Sequence, residues 1–243
     1  MAYEKLRELI EGSNNIVFLG GAGVSTESNI PDFRSADGLY AARTKYGYSP
    51  EYLLSRTLFD SDPELFYDYY KNNLIYTDAK PNLAHFALAK LEKEGKLKAI
   101  VTQNIDNLHQ MAGSKVVYEL HGSVYRNHCM KCRTFYTLDE MLEIEGTVPR
   151  CPHCGGIIKP DVVLYEEGLD SYVWNGAQRA IANADMLIVG GTSLVVYPAA
   201  SLVGDYRGSK LVLINKSATS YDDMASLVIH DSIGEVLSSV IKI

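Results

Sequence analysis

The sequence predicts an α/β chain, a parallel sheet covered by helices on both faces and interrupted by one small insert. Three observations predict it. Short apolar runs alternate with stretches of helical periodicity, the first run feeds directly into a glycine turn, and two Cys-x-x-Cys pairs break the rhythm once, just past the midpoint of the chain. With 243 residues the chain has room for one large domain and a smaller insert. Apolar residues at 47% and charged residues at 22% supply a core and exclude disorder.

The elements follow in order. After an amphipathic first helix, Ile16-Val17-Phe18-Leu19 reads as a buried strand entering Gly20-Gly21-Ala22-Gly23. Residues 49–76 keep helical spacing, with Pro63 placed at a helix start, and predict two helices. Residues 82–94 set Ala84, Ala87, Leu88 and Leu91 on one face and stop at Gly95, which predicts a third helix with His85 in its apolar side. Further strands are expected at 97–102, 116–120, 186–189, 211–214 and 227–229. The insert is expected at 126–158, between larger-domain segments 1–125 and 159–243.

Charge and hydropathy remove several function classes. Thirty acidic against 23 basic residues give a net charge of -7, the wrong sign for non-specific attachment to nucleic acid or anionic lipid. No run approaches the ~20 apolar residues that cross a bilayer, and the first residues are charged, without an apolar signal segment. The expectation is a cytoplasmic protein whose four cysteines stay reduced.

Those cysteines carry the strongest local signal. Cys129-x2-Cys132, eighteen residues, then Cys151-x2-Cys154 is the spacing of a four-thiolate zinc ribbon. Four thiolates close the tetrahedron and leave no position for an activated water, so the expected zinc is structural. Unligated cysteines or a redox pair are the alternatives. His128 and His153, next to the ligands, are expected at the surface.

Polar residues gather where strands are predicted to end, which is where open parallel sheets bind ligands. The turn Gly21-x-Gly23-x-x-Thr26 holds two of the three glycines of a dinucleotide fingerprint and would let backbone approach a phosphate at a helix N-terminus. It lacks the fingerprint's second strand with its acid, and runs instead into Asn29-Ile30-Pro31-Asp32-Phe33-Arg34, an irregular loop that would bring an aromatic face and a cation to a ligand. An ordinary strand-to-helix turn is the bland reading. Gln103, Asn104 and Asp106 suit a ligand with hydroxyls and a carboxamide, although Asn104 or Asp106 could equally cap a helix. His121-Gly122 leaves access to an imidazole, against the alternative of a satisfied structural histidine. Thr192, Ser193 and Asn215 stand after two further strands. One shared ligand cleft accounts for all five strand ends together.

Taken in order, Gly21-Ala22-Gly23-Val24-Ser25, Ile30-Pro31-Asp32-Phe33-Arg34, Gln103-Asn104-Ile105-Asp106, His121-Gly122, the two cysteine pairs and Gly191-Thr192-Ser193 resemble the sirtuins. The resemblance spans residues 15 to 231. It implies an NAD-dependent protein-lysine deacylase with a Rossmann-like domain, a small zinc-ribbon domain joined by helices within about 38–80, and acyl-lysine proteins or peptides as partners. NAD would be a co-substrate, and the acyl group would pass from lysine to ADP-ribose with release of nicotinamide.

By that resemblance Gly21, Ala22, Gly23, Thr26, Asp32, Thr192, Ser193, Asn215 and Asp231 belong to the NAD site, and Phe33 and Arg34 to a loop closing over it. Ile105 and Asp106 would hold the carboxamide, Gln103 and Asn104 would contact the ribose, and Asn104 would assist His121, the general base. An imidazole suits that role near neutral pH. The substrate would add as a strand between Val162, Val163 and Tyr165 on one side and Leu194 and Val195 on the other, although the apolarity of both segments equally suits buried sheet.

The chain departs from the family pattern in three places. Asn29 replaces a glycine, a change that asparagine's tolerance of the left-handed region permits. Glu166 replaces another glycine and would bias the mouth toward basic substrate flanks. Tyr70 stands where the desuccinylase branch has arginine, so acetyl or longer apolar acyl groups are expected over succinyl. A sirtuin-like mono-ADP-ribosyltransferase and a zinc-ribbon binding module with a vestigial NAD site are the rival readings.

Overall fold

The computed structural model describes residues 2–32 and 43–242. Six strands form the larger sheet: β1 (Ile16–Gly20), β2 (Leu97–Thr102), β3 (Val117–Glu119), β7 (Met186–Gly190), β8 (Leu211–Ile214) and β9 (Leu227–Ile229). They lie in the order β3-β2-β1-β7-β8-β9, and every neighbouring pair is parallel. Sequence order runs outward from β1 through β2 to β3, returns to the far side of β1, and runs outward again through β7 to β9. The two directions part between β1 and β7, which opens a crevice at the carboxyl ends of those strands.

Period-2 alternation decides which side chain meets which layer. Ile16 and Phe18 of β1 pack with α1 (Ala2–Glu11), α5 (Leu83–Lys93) and α9 (Ile233–Val240), while Val17 and Leu19 face α8 (Ser171–Asn183) and the 3-10 segment Ala199–Asp205. Met186 and Ile188 against Leu187 and Val189 repeat the split on β7. The sheet is therefore Rossmann-like, buried on both sides. Strands 97–102, 211–214 and 227–229 fall where the sequence puts them. β1 and β7 each run one residue further, because Gly20 and Gly190 still pair across the ladder without side chains.

The second sheet is antiparallel: β4 (Arg126–Cys129), β5 (Phe135–Thr137) and β6 (Ile158–Pro160), in the order β5-β4-β6. It shares one core with α2 (Pro50–Leu53), α3 (Arg56–Ser61) and α4 (Pro63–Asn73), in which Phe66, Tyr67 and Tyr70 pack with Cys129, Cys151 and Ile158. Two helices were expected over 49–76 and three are present. Ser49, Ser55 and Asp62 each accept the N–H of the residue three positions on, so local capping divides a stretch whose apolar periodicity runs on unbroken. Among the described residues no helix is long and apolar enough to cross a membrane.

Candidate active site and metal centre

The turn after β1 is built for contact between two loops. Gly23 N–H donates to Gly191 O at 2.8 Å, and a Cβ on Gly23 would lie 2.7 Å from Gly191 Cα. A Cβ on Gly21 would lie 2.8 Å from Thr192 Cβ. The chain then enters two 3-10 turns, Ala22–Val24 and Thr26–Ser28, with Thr26 Oγ1 donating to Gly23 O at 3.0 Å. These glycines thus close β1 onto β7, and among the described residues the helical segments that follow them are the two 3-10 turns. Asn29 is left-handed at φ 62°, as its place in the loop demands.

At the end of β2 the polar residues bind one another. Ser25 Oγ donates to Asp106 Oδ2 at 2.6 Å and accepts from Asn104 Nδ2 at 2.9 Å, while Leu108 N–H donates to Asp106 Oδ1 at 3.0 Å. Burial pushes the Asp106 carboxyl up, and the bonds from Ser25 and Leu108 pull it back. Ser25, 1% exposed, was not singled out from the sequence, although a small hydroxyl residue directly after a glycine turn is a signal that could have found it.

His121 is held by the next strand end. Its Nδ1 lies 3.0 Å from Gln103 O, an acceptor only, so Nδ1 carries the proton and Nε2 the lone pair. Gln103 Nε2 in turn donates to Thr192 Oγ1 at 3.1 Å. Gly122, at φ 75°, is forced: a Cβ there would collide with the Asp161 carbonyl. The contact seats the His121 turn against the chain leaving β6, where Val163 N–H donates to His121 O at 2.9 Å.

A cleft of about 300 Å³ gathers these pieces. Of the predicted residues it is lined by Gly21, Ala22, Asp32, Gln103, Asn104, Ile105, Asp106, His121, Val162, Val163, Tyr165, Thr192 and Ser193. Leu54, Leu74, Val124 and Leu169 add an apolar wall that no sequence pattern marked. Gly23, Thr26, Leu194, Val195, Asn215 and Asp231 are not in the lining. Leu194 is 3% exposed and packs in the core with Val189 and Ala199, so its side chain is a core group. Phe33 and Arg34 lie outside the described residues.

Asn215 and Asp231 stand beyond the lining, at the ends of β8 and β9. Asn215 Oδ1 accepts from Thr192 N–H at 2.9 Å, and its buried Nδ2 has no partner among the described residues. An orphaned donor of this kind fits a ligand hydroxyl or ether oxygen, as an NAD ribose would supply. Asp231 Oδ2 accepts from Tyr3 Oη at 2.8 Å, which holds Asp231 below the usual carboxylate range and pushes Tyr3 up to about 12. At the mouth, Glu166 is left-handed at φ 76°, and its Oε2 accepts from Thr57 N–H and Oγ1 at 2.9 and 2.7 Å. That oxygen is committed to α3 rather than to the opening.

The four sulfurs of Cys129, Cys132, Cys151 and Cys154 lie within 4.8 Å of one another. Cys129 and Cys154 are 3.4 Å apart and Cys132 and Cys151 3.6 Å, far beyond a disulfide bond and close to the ~3.8 Å edge of a tetrahedron with 2.3 Å zinc–sulfur bonds. Lys131 and Cys132 N–H groups point to Cys129 Sγ at 3.4 and 3.5 Å, and Tyr136 Oη is 3.1 Å from Cys151 Sγ. The donor set fits zinc. His153 is exposed, and His128, half-exposed, turns to Asp161 Oδ1 at 2.7 Å.

The Sir2 family model matches residues 21–198. Similar curated relatives include NAD-dependent protein deacetylases of Clostridium perfringens, 64% identical over 238 residues (98% of this chain and 97% of that protein), and of Clostridium acetobutylicum, 60% identical over 237 residues with the same two coverages. Among solved structures, Sir2 with a p53 peptide and NAD+ superposes with a TM-score of 0.88 at 39% identity, covering 100% of this chain and 98% of that one. Sir2 bound to an acetylated peptide gives 0.87 at 37%, with the same coverages.

Proposed function

The chain belongs to the Sir2 family, and on that premise we propose that it is an NAD-dependent protein-lysine deacetylase, with NAD as co-substrate and a structural zinc in the four-cysteine site. The observation that carries the reading is His121: its Nδ1 proton is tied to Gln103 O, and it lines one cleft with Asn104, Ile105, Asp106 and the segment Val162–Tyr165. Bound NAD would supply a ribose that gives up its bond to nicotinamide and receives the acyl group from lysine, one water being consumed, so that the products are nicotinamide, free lysine and O-acyl-ADP-ribose.

The chain's own residues do the rest. His121 takes the ribose proton at Nε2, since Nδ1 already carries one. Ser25 fixes the Asp106 carboxylate and the Asn104 amide, which with Ile105 orient the carboxamide and ribose. Gly21, Ala22, Gly23, Thr26, Asp32, Thr192, Ser193, Asn215 and Asp231 hold the remainder of the dinucleotide. Phe33 and Arg34 keep their assignment to the covering loop from the sequence alone. The peptide pairs with Val162–Tyr165 and, across the cleft, with the backbone at Leu194 and Val195. The Rossmann-like domain comprises about 1–125 and 159–243, and 126–158 with the helices of about 38–80 forms the small domain, whose sheet runs two residues past that boundary to Pro160.

Acetyl or longer apolar acyl groups are preferred to succinyl. Tyr70 is fully buried, its ring stacked on Phe66 and absent from the cleft lining, and Lys71 Nζ donates to Gly146 O at 3.2 Å. Neither meets an acidic acyl group. Acyl-lysine proteins are the partners, and the net charge of -7 supports the reading of a cytoplasmic protein without anionic lipid or nucleic acid as partner.

Mass spectrometry of acetyl-lysine and succinyl-lysine peptides incubated with the protein, with and without NAD, tests this. The expected result is NAD-dependent deacetylation with stoichiometric O-acetyl-ADP-ribose and a lower kcat/KM on succinyl peptide. ADP-ribose on protein with the peptide unchanged would transfer the site to a mono-ADP-ribosyltransferase. No NAD turnover on any acyl peptide would leave a binding module.

A further inference from the structure

The chain leaving β6 crosses from the small sheet to the cleft before it reaches Glu167. Four of its N–H groups are served along the way: Asp161 donates to Arg126 O at 2.8 Å, Val163 to His121 O at 2.9 Å, Leu164 to Glu167 Oε2 at 2.9 Å and Tyr165 to Leu54 O at 3.0 Å. The carbonyls of Pro160 and Val162 are served differently. Both accept from Lys159 Nζ, at 3.1 and 3.0 Å, and the third partner of that nitrogen is Glu167 Oε2 at 3.1 Å. An ammonium has three donors and no acceptor, so this one is saturated.

The placement is unusual for lysine, whose head ordinarily stays in water at the end of a flexible stem. Here the side chain is 13% exposed. Burial lowers its pKa, and Glu167 works against that. Glu167 is itself fixed from the other side, its Oε1 accepting from Arg56 Nη1 at 3.2 Å. A charge desolvated to this degree is recovered only by close pairing, and an apolar side chain would fill the same space at less cost. What an apolar side chain could not do is hold two carbonyls of one strand and the carboxylate that follows it. All three acceptors belong to residues 160–167, the segment whose middle lines the cleft beside His121.

We propose that Lys159 is a positioning residue for the acyl-lysine peptide: its ammonium replaces main-chain donors and holds residues 160–167 in the one path that presents Val162–Tyr165 to the substrate strand. Lys159 itself is absent from the cleft lining and acts through that segment. The inference rests on the deacetylase reading above.

Lys159→Met keeps the stem and removes all three donors, and Lys159→Arg keeps the charge but offers planar donors that match three divergent acceptors poorly. Steady-state kinetics on both, with thermal melting and zinc content as checks of folding, and calorimetric titration of acetyl-lysine peptide, form the test. The KM and Kd for peptide should rise about tenfold in Lys159→Met and less in Lys159→Arg, with the KM for NAD within twofold of the parent. A folded, zinc-replete Lys159→Met variant with the parent's peptide KM would overturn the inference while leaving the deacetylase reading intact, as would equal losses toward NAD and peptide. Should Lys159→Met not fold, Lys159→Arg decides by the same split. A parent protein that neither turns over nor binds acetyl peptide would overturn the underlying reading and this inference with it.

Discussion

Ser25 joins two residues whose roles would otherwise be separate, because one hydroxyl donates to Asp106 and accepts from Asn104. Ser25→Ala should therefore lower kcat/KM for NAD by about tenfold or more, the loss expected when a hydrogen bond to a charged group disappears, with peptide KM changed far less. The pH profile gives a second readout. The Ser25 bond lowers a carboxyl that burial raises, so its removal should let Asp106 titrate higher and shift the acid limb of kcat/KM for NAD to higher pH. An acid limb that stays in place would mean that Asp106 does not need its charge. The serine sits in plain view within Gly21-Ala22-Gly23-Val24-Ser25, and its place beside the turn marks it as a candidate, yet its partners were not legible, because which side chains meet across a turn depends on which strands are neighbours. The glycines of the same turn were legible as residues needing space, but the space is filled by Gly191 and Thr192 of the chain itself.

At the scale of elements, the small sheet and the helices α2 to α4 stand or fall together. Cys129 and Cys151 are ligands in the proposed zinc site and at the same time members of the core that contains Phe66, Tyr67 and Tyr70. Tyr67 Oη also donates to the carbonyl of Ile158, the first residue of β6. Removing zinc should thus unfold β4 to β6, loosen the helices packed on them and abolish activity, as chelation followed by circular dichroism and assay would show. A zinc-free protein with unchanged spectrum and activity would contradict it. Helix capping gives a smaller, local effect: Ser55→Ala should cost about 1 kcal/mol in denaturant titration, since its hydroxyl accepts the Leu58 N–H at 3.1 Å. Strand positions were legible wherever apolar runs ended at a polar residue, as at Thr102. The break at Ser55 was not, because capping residues lie inside a pattern that remains apolar on both sides.

For the whole molecule, one of the layers over the sheet hides an acid-sensitive point. His85 and His109 lie on α5 and α6 (Leu108–Met111), 0% and 1% exposed, with ring centroids 4.7 Å apart and Phe18 beside His109. Burial lowers the pKa of His85 to about 4 and that of His109 well below its ordinary value, with His85 adding to the shift. Both are neutral in the fold and must charge on unfolding in acid, so the unfolded chain binds more protons below pH 6.5. Stability should fall as pH drops from about 6.5 toward 4, by at most ~1.4 kcal/mol per pH unit for each histidine. His109→Leu should flatten that slope in urea titrations at pH 7, 6 and 5, and an unchanged slope would refute the assignment. The core place of His85 was legible from its helix face, whereas the approach of His109 depends on the order of strands, which local patterns do not encode. The same strand order brings four separate polar strand ends into one cleft, with Asn215 of the fifth just beyond its lining.

The most direct test of the central claim, that this cleft removes acyl groups with His121 as base, is product analysis of the parent protein and His121→Ala under single-turnover conditions with acetyl-lysine peptide and NAD. The account predicts O-acetyl-ADP-ribose and free lysine peptide from the parent. From the variant it predicts a loss of at least about a hundredfold in that product, the lower range of what a positioned base contributes, with NAD binding retained. Deacetylation at the parent's rate in His121→Ala would contradict it, since His121 is the imidazole that Gln103 O holds in this site.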